Sequence, residues 1–356
     1  MEKMNFNLNL RTDLAYDSVL KCKTKCINGL SQEKETIDNI SVTKHIVKDA
    51  AKDILGKEPG IYYTIDLENV NYHDQKTSKN IENVLSKVLL DLLESRNLLG
   101  KNGLIVGLGN DNITPDALGP YVIDNIVVTR HLFINNEIHD GYSCVSAISP
   151  GVMGTTGIET YDVIEAVRNK INIDYIIVVD ALASNSINRV NRTIQITDTG
   201  ISPGSGVGNK RKEISFKTMR IPVFAVGIPT VVDAACIASN TIDYVLKYLS
   251  LEYHDEIPSV NKLSIGGLSI DYENIEEPAN KLKEEFLGQI GLLSDIELKK
   301  LFESVLTPNG YNLMVTSKDI DLEIEDLSKI VAWGINKALH ESIRKSDELI
   351  WEKFLF

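Results

Sequence analysis

The 356-residue chain carries 37 basic and 50 acidic side chains, which gives a formal net charge of −13. This acidic balance argues against a nucleic-acid binder, whose surface must neutralise phosphates, and against an anionic membrane surface as a partner. Hydrophobic residues make up 43% and charged residues 24%, which is typical of a globular protein with one large domain or two medium ones. Residues 1–14 are polar and the apolar runs are too short to span a membrane, so we expect a soluble, cytoplasmic protein.

The cysteines give no sign of a disulfide framework or a zinc site. Four are present: Cys22, Cys26, Cys144 and Cys236. Four scattered cysteines are too few to cross-link a chain of this length. Cys22 and Cys26 are four positions apart, and no matching Cys/His pair follows them. We therefore predict reduced thiols, no metal site and no cofactor.

Strand and helix patterns alternate from about residue 60 onward, whereas the residues before it show only weak periodicity. Strands are predicted at 61–67, 104–106, 143–148, 175–179, 193–197 and 223–228, and helices at 78–97, 116–133, 156–169, 230–249 and 322–346. Thr156 and Glu159 have the spacing of a capping box at the start of the third helix. Strands that are apolar on both faces and alternate with helices indicate one α/β domain with a mainly parallel sheet and helical C-terminal additions.

Two aspartates fall where a parallel sheet places its active sites. Asp180 directly follows the apolar strand at 175–179, and Asp116 lies at the loop-to-helix junction after the strand at 104–106. Because the carboxyl ends of parallel strands meet at one edge, these side chains can approach each other. Two close carboxyls share a proton, so one can activate a water while the other protonates a leaving amine. Alternatively, Asp116 favours a helix N-terminus and Asp180 ends a strand in a turn.

Asp198 is a third candidate, ranked behind this pair. The sequence Asp198-Thr199-Gly200 matches the triplet of pepsin-like aspartic proteases. Those enzymes are all-β, whereas the surroundings here are α/β, and the triplet is also typical of turns.

A glycine-rich segment follows, containing Gly204, Ser205, Gly206 and Gly208 and ending in Lys210-Arg211. Its spacing does not fit a phosphate-binding loop. We predict that it borders the cleft, where its basic end could bind a substrate carboxylate.

Longer strings of the sequence resemble the spore germination protease family over residues 10–345. They are RTDLA at 11–15, VGLGN at 106–110, TPDALGP at 114–120, VTRHLF at 128–133, SPGVMG at 149–154, DALAS at 180–184, PGSGVGNKRKE at 203–213 and NLMVT at 312–316. The resemblance implies an aspartic endopeptidase whose two aspartates fall on Asp116 and Asp180. It also implies a fold similar to that of hydrogenase maturation endopeptidases, with helices on both faces of the sheet.

The resemblance further implies a biological setting and a processing step. Family members degrade the small acid-soluble proteins that coat DNA in dormant spores, and are made as a tetrameric zymogen that trims its own N-terminus. Family substrates are cut after an acidic–hydrophobic–small sequence, a form that Asp13-Leu14-Ala15 has. We therefore predict cleavage between Ala15 and Tyr16, a propeptide at 1–15, a single peptidase domain at 16–356, and a location in the spore core.

Two other functions remain open at this point. One is a metal-dependent, maturation-type peptidase in which Asp116, Asp180 and His131 contact the metal. The other is a non-enzymatic binding protein, in which the two aspartates only end a strand and begin a helix.

Overall fold

The computed structural model describes residues 27–137, 140–204, 211–253, 275–276, 278–307 and 313–346. Its contacts form two compact units. The first contains the chain up to Ser184, Asn188–Val231 and the chain from Thr316 onward, and the second contains Asn185–Ile187 and Val232–Val315. The predicted propeptide and its cleavage site, Ala15 and Tyr16, lie outside the described residues, and the single domain at 16–356 stays a prediction.

The described residues alternate between strands and helices. The strands are β1 Leu30–Ile37, β2 Ile40–Val47, β3 Gly60–Asp66, β4 Gly103–Gly107, β5 Val145–Ile148, β6 Tyr175–Ser184, β7 Thr193–Thr197, β8 Val223–Asp233 and β9 Met314–Val315. The helices are α1 Asp49–Leu55, α2 Gln75–Glu94, α3 Leu118–Asp124, α4 Arg130–Asn135, α5 Met153–Thr156, α6 Thr160–Lys170, α7 Phe216–Met219, α8 Ala234–Tyr253, α9 Asn280–Leu287, α10 Asp295–Leu306 and α11 Ile320–Leu339. Short 3₁₀ turns lie at Thr114–Asp116, Ile187–Arg189 and Gly288–Leu292.

The sheet is mixed rather than mainly parallel, which corrects the prediction. Its strand order is β1-β2-β3-β7-β8-β6-β4-β5. Strand β4 runs parallel to β5 and β6, whereas β1–β2, β2–β3, β3–β7 and β7–β8 are antiparallel. Strands β1 and β2 form a hairpin whose turn residues, Asp38 and Asn39, have φ angles of 49° and 65°. Two such residues are typical of the tightest hairpin turn, but the exposed, charged β1 carries almost no apolar alternation to predict it.

Alternate side chains of the central strands enter two separate apolar clusters. Ile105 and Ile177 pack with helices α2 and α11 on one face, whereas Leu104 and Ile176 pack with α6 and α7 on the other. This two-residue period is the geometry of a strand buried on both sides. Each such aliphatic side chain contributes about 1.5–3 kcal/mol when it leaves water. Helices therefore cover both faces of the sheet, as predicted, and α11 belongs to this core rather than to a C-terminal addition.

The predicted helix at 116–133 is broken in the structure. It becomes the 3₁₀ turn Thr114–Asp116, then α3, then α4. The wholly buried Asn336 of α11 takes the place of helical hydrogen bonds at the break. Its side chain accepts from the Val127 N–H at 2.9 Å and donates to the Asn125 carbonyl at 3.0 Å. A contact from so far along the chain leaves no local sequence signal.

The predicted capping box is also wrong. Helix α6 begins at Thr160, and the preceding Glu159 makes no capping bond with its side chain. Thr156 belongs to the short helix α5, which ends at Gly157 with φ 72°. The Thr156 hydroxyl accepts instead from the N–H of Ile158 at 3.1 Å.

Candidate active site

The two predicted aspartates are carried to one edge of the sheet by adjacent parallel strands. Gly107, the last residue of β4, pairs with Val179 of β6. The next N–H, that of Leu108, donates to the Val179 carbonyl at 2.8 Å. The chain therefore leaves β4 beside Asp180, which continues β6 and is only 8% exposed.

Asp116 is held in a compact turn just beyond β4. Its N–H donates to the Ile113 carbonyl at 2.8 Å, and its carbonyl accepts from the Asn110 N–H at 3.1 Å. Gly109 lies directly against this turn with φ +114°, and a Cβ there would be 1.9 Å from the Asp116 carbonyl oxygen. Only glycine provides that backbone conformation and that space.

The other glycines of the motif serve close packing. A Cβ at Gly107 would lie 2.3 Å from the Gly119 carbonyl oxygen, and one at Gly119 would lie 2.1 Å from the Leu108 carbonyl oxygen. The end of β4 and the start of α3 thus touch backbone to backbone, which places the Asp116 turn over the strand ends.

Burial dominates the electrostatics of both carboxyls. Burial and, second to it, the nearby charge of Asp116 raise the pKa of Asp180 from 3.8 to about 8, against smaller lowering effects of the Ala181 N–H and Arg211. Burial also raises the pKa of Asp116, offset by the Asn110 N–H and by Arg211. The two carboxyls therefore lie within electrostatic reach of each other, in surroundings that disfavour a double negative charge.

Arg211, predicted as the basic end of the cleft loop, lies close enough to act on both aspartates. Its charge lowers the pKa of both carboxyls, so it lies near the pair. Arg211 follows the predicted cleft loop, of which Gly204 is described and Ser205, Gly206 and Gly208 lie outside the described residues. The next residue, Lys212, is anchored with its ammonium 3.5 Å from the centre of the Tyr161 ring. The sequence feature that pointed to Arg211 was the pair of basic residues at the end of the glycine-rich segment.

Comparisons with known proteins decide the family. The model of the germination protease family matches residues 11–351. The chain belongs to the germination protease family. It is 45% identical to the germination protease of Bacillus cereus (strain ATCC 10987) over 347 residues, which cover 94% of this chain and 95% of that protein. It is 44% identical to the Oceanobacillus iheyensis germination protease over 357 residues, covering 96% and 97% of the two chains.

Membership of this peptidase family confirms the resemblance seen in the sequence motifs. A third relative, the germination protease of Bacillus mycoides (strain KBAB4), is 44% identical over 347 residues and covers 94% of this chain. Membership of a germination protease family supports a peptidase rather than a non-enzymatic binding protein.

In this family member, Asp198 lies apart from the aspartate pair. The N–H of Ile176 donates to the Pro222 carbonyl at 3.0 Å, which places the starts of β6 and β8 side by side. Thr197, at the end of β7, pairs with Ala225 near the start of β8. Asp198 therefore lies toward the edge where β6 and β8 begin, whereas Asp180 lies at the edge where β4 ends.

The Asp198 carboxylate is engaged in structural contacts. It accepts from the Arg96 guanidinium at 2.6 Å and from the Ile61 N–H at 2.8 Å, and its side chain is only 6% exposed. A buried carboxylate with a cation and a backbone donor has the partners that a stable ion pair needs.

His131 also lies away from the pair. It is exposed on α4, and the N–H of the preceding Thr129 donates to Val145 at the start of β5, 3.0 Å away. Within the described residues, no three His, Cys, Asp or Glu side chains form a group suited to a metal ion. The three side chains of the predicted metal site are therefore not brought together.

Two of the four cysteines lie among the described residues. Cys144 is half-buried, and the thiol of the buried Cys236 donates to the side-chain oxygen of Asn185 at 3.5 Å. Cys22 and Cys26 lie outside the described residues. Over the part of the chain that the structure describes, none of the helices combines the length and apolar character needed to cross a bilayer.

Proposed function

We propose that this chain is an endopeptidase that hydrolyses peptide bonds with Asp116 and Asp180 acting as a pair. The observation that carries the proposal is that Asp180 is buried beside the charge of Asp116, two causes that together raise its pKa to about 8. Perturbed acids that face another acid are typical of catalytic sites. The family supports peptidase activity, and the pair supports the aspartate mechanism.

The pair holds one proton at neutral pH. Asp180 keeps it, because burial and the charge of Asp116 oppose its ionisation. Burial raises the pKa of Asp116 as well, but there the Asn110 N–H and Arg211 oppose the rise and no second acid adds to it. The Asp116 carboxylate takes a proton from the attacking water. Asp180 donates its proton to the substrate carbonyl oxygen as the water adds, which gives a gem-diol. As the C–N bond then breaks, the proton on Asp116 goes to the leaving amine and Asp180 recovers a proton from a gem-diol hydroxyl, which restores the starting pair. Because the two groups titrate as a unit, these roles describe the dominant protonation state.

The processing and substrate assignments rest on the family. We assign residues 1–15 as a propeptide that the enzyme removes between Ala15 and Tyr16, and small acid-soluble spore proteins in the spore core as the substrates. Family membership supports spore proteins as the substrates, and the sequence Asp13-Leu14-Ala15 supports the position of the cut. Intact-mass measurement during incubation tests the first, since loss of a segment other than 1–15 would contradict it.

Self-association to a tetramer is part of the same proposal. The second unit exposes many large apolar side chains, a kind of surface that assembly covers. They are Val245, Tyr253, Ile290, Leu292, Ile296, Leu301, Val305, Leu306 and Leu313. Sedimentation velocity of the full chain tests this assignment, and a monomer at micromolar concentration would contradict it.

The decisive experiment compares three Asp→Asn variants of the full chain. Asp116→Asn and Asp180→Asn should each lower cleavage of a small acid-soluble spore protein by on the order of 10³-fold, because each removes one half of the acid–base pair. Asp198→Asn is the matched control, because the Asp198 side chain is only 6% exposed but lies outside the pair, and it should keep activity within about threefold, since distant sites act independently. A peptide of residues 9–20 serves as a second substrate.

The controls separate the competing mechanisms. Circular dichroism should show that all three variants are folded. Full activity of Asp116→Asn or Asp180→Asn would end the aspartate mechanism. Loss of wild-type activity after exhaustive chelation, with recovery on adding a divalent metal, would instead favour the metal-dependent peptidase.

A further inference from the structure

The backbone around Asp116 is fixed by three hydrogen bonds. Two are local: the Asp116 N–H to the Ile113 carbonyl and the Asn110 N–H to the Asp116 carbonyl. The third comes from another strand, where the Thr230 hydroxyl donates to the Pro115 carbonyl at 2.6 Å. The Pro115 carbonyl and the Asp116 N–H belong to one peptide group. Both ends of that planar group are therefore held, which fixes the direction in which Asp116 leaves the turn.

Thr230 is itself firmly placed. It lies on β8, the strand next to β6 in the sheet, and is only 1% exposed. Its carbonyl accepts from the Thr316 hydroxyl at 2.7 Å, and the preceding carbonyl, that of Pro229, accepts from the Asn191 N–H at 2.7 Å. The strand segment that carries Thr230 is thus fixed by two hydrogen bonds from residues outside the neighbouring strands, Thr316 and Asn191.

We propose that Thr230 is a positioning residue that sets the separation of the two catalytic carboxyls. Strand β8 adjoins the strand that carries Asp180, and the Thr230 hydroxyl holds the turn that carries Asp116. This inference rests on the aspartate mechanism proposed above. Valine would fill the same space on β8 but would leave the Pro115 carbonyl without this donor, so the turn could shift relative to β6.

The test uses a buried threonine of the same exposure as a control. Thr129 is also 1% exposed, and its hydroxyl also donates to a backbone carbonyl, that of Ser143 at 2.5 Å, but at the opposite edge of the parallel strands. Thr230→Val should lower kcat by about 10- to 100-fold with little change in KM, since a displacement of an ångström can cost that much. Thr129→Val should lose a similar amount of thermal stability and keep wild-type kcat.

Rescue and pH dependence distinguish positioning from general damage. Thr230→Ser keeps the hydroxyl and should restore kcat to within about threefold of wild type, since the donor to Pro115 is retained. Thr230→Val should also move the alkaline limit of the pH–rate profile, because the coupling of two carboxyls depends on their separation. Thr316→Val, which frees the Thr230 carbonyl, should move kcat and the pH limit in the same direction by a smaller factor.

The outcomes are separable from those of the aspartate variants. If Asp116→Asn and Asp180→Asn abolish cleavage of the spore protein substrate but Thr230→Val retains wild-type kcat and pH limits, the positioning role is wrong and the mechanism stands. Equal losses of kcat in Thr230→Val and Thr129→Val would likewise overturn the positioning role. If Thr230→Val does not fold, Thr316→Val decides, and an unchanged kcat and pH limit there would overturn the proposal.

Discussion

Two aspartates with shielded side chains, Asp180 and Asp198, lie at opposite edges of the parallel strands and have opposite electrostatic surroundings. Asp198 faces the Arg96 guanidinium at 2.6 Å and a backbone N–H at 2.8 Å. Asp180 is as deeply placed, but the group that acts on it most strongly after burial is another acid, Asp116, which helps to raise its pKa to about 8. The surroundings of Asp198 are suited to a negative charge, whereas those of Asp180 favour the protonated carboxyl.

This difference shows that burial by itself does not indicate chemistry in an acidic residue. A buried carboxylate with a cation contributes to the fold, and removing one partner leaves a costly unpaired charge. A buried carboxyl that faces another carboxyl is unfavourable to the fold, and retaining it is consistent with selection for function. Three predictions test the comparison, from the largest expected effect to the smallest.

Gly109→Ala should lower activity by about 100-fold, because even an ångström of misplacement of a reacting group can cost that much. The new Cβ would be 1.9 Å from the Asp116 carbonyl oxygen and 3.4 Å from the carbon of its carboxyl group. The turn must therefore move. The measurement is kcat/KM with the spore protein substrate, together with a thermal melt.

Gly157→Ala is the matched control for that variant. Gly157 has a similarly left-handed φ of +72°, but a Cβ there would have open space around it. Both variants carry the backbone strain of about 1–3 kcal/mol, but only the first should lose activity beyond that loss of stability. Wild-type activity in Gly109→Ala would show that the placement of Asp116 is not critical. The contrast between Asp180, which faces Asp116, and Asp198 would then have no functional meaning.

The pH–rate profile should fall on its alkaline side near pH 8. In the proposed mechanism the pair needs one proton, and Asp180 with its pKa raised to about 8 releases that proton as the pH rises through this value. Above it, kcat/KM should fall about tenfold per pH unit. On the acid side, activity should be lost as Asp116 gains a proton. Because burial raises the pKa of Asp116, this loss should occur at a higher pH than the pKa of an ordinary aspartate would give.

The Asp198→Asn variant supplies the control for this profile. It should show both limbs at the wild-type positions, since Asp198 lies outside the pair. An activity that instead rises through pH 8 would point to a hydroxide nucleophile generated by a metal and would contradict the shared proton.

Asn substitutions at the two buried aspartates should change stability in opposite directions. In wild type, the folded state keeps the Asp180 proton up to about pH 8, whereas the unfolded chain releases it near its ordinary pKa of 3.8. The unfolded state therefore binds fewer protons in this window, and the free energy of unfolding falls as the pH rises. Asp180→Asn escapes this loss, so its advantage over wild type should grow by roughly 2–4 kcal/mol between pH 5 and pH 8.

Asp198→Asn should instead lower the free energy of unfolding by about 1–3 kcal/mol, because its new amide group faces the Arg96 guanidinium without a charge. Denaturant titrations at the two pH values measure both effects. A destabilised Asp180→Asn at pH 8 would show that the buried proton does not cost stability, and the two aspartates would then be alike.

The sequence predicted the parts of the fold that depend on local pattern. The strand at 193–197, predicted from its alternating residues, and the start of the strand at 175, predicted from its apolar run, agree with the structure. The hairpin of β1 and β2 was missed, since its outer strand is exposed and charged. The broken helix after Asp116 was missed because Asn336, more than two hundred positions away, supplies the competing hydrogen bonds.

The candidate site divides in the same way. Asp116 and Asp180 could be proposed from the sequence, because each follows an apolar strand and parallel strands end at a common edge. Arg211 was predicted only as the basic end of a cleft loop, and the contact of Thr230 with Pro115 had no sequence signal, since the groups that both residues face depend on the fold. The sequence likewise could not rank Asp198, whose triplet matches a known protease motif.

The sequence by itself determined the apolar alternation of the central strands, the family, and the two acids at the strand ends, because these are properties of short stretches of chain. Only the tertiary structure decided which buried acid receives a cation and which receives another acid. Arg96 reaches Asp198 across 102 positions, and Thr230 reaches Pro115 across 115. Contacts over such separations form only when the chain folds, and the energy of a buried charge depends on those contacts.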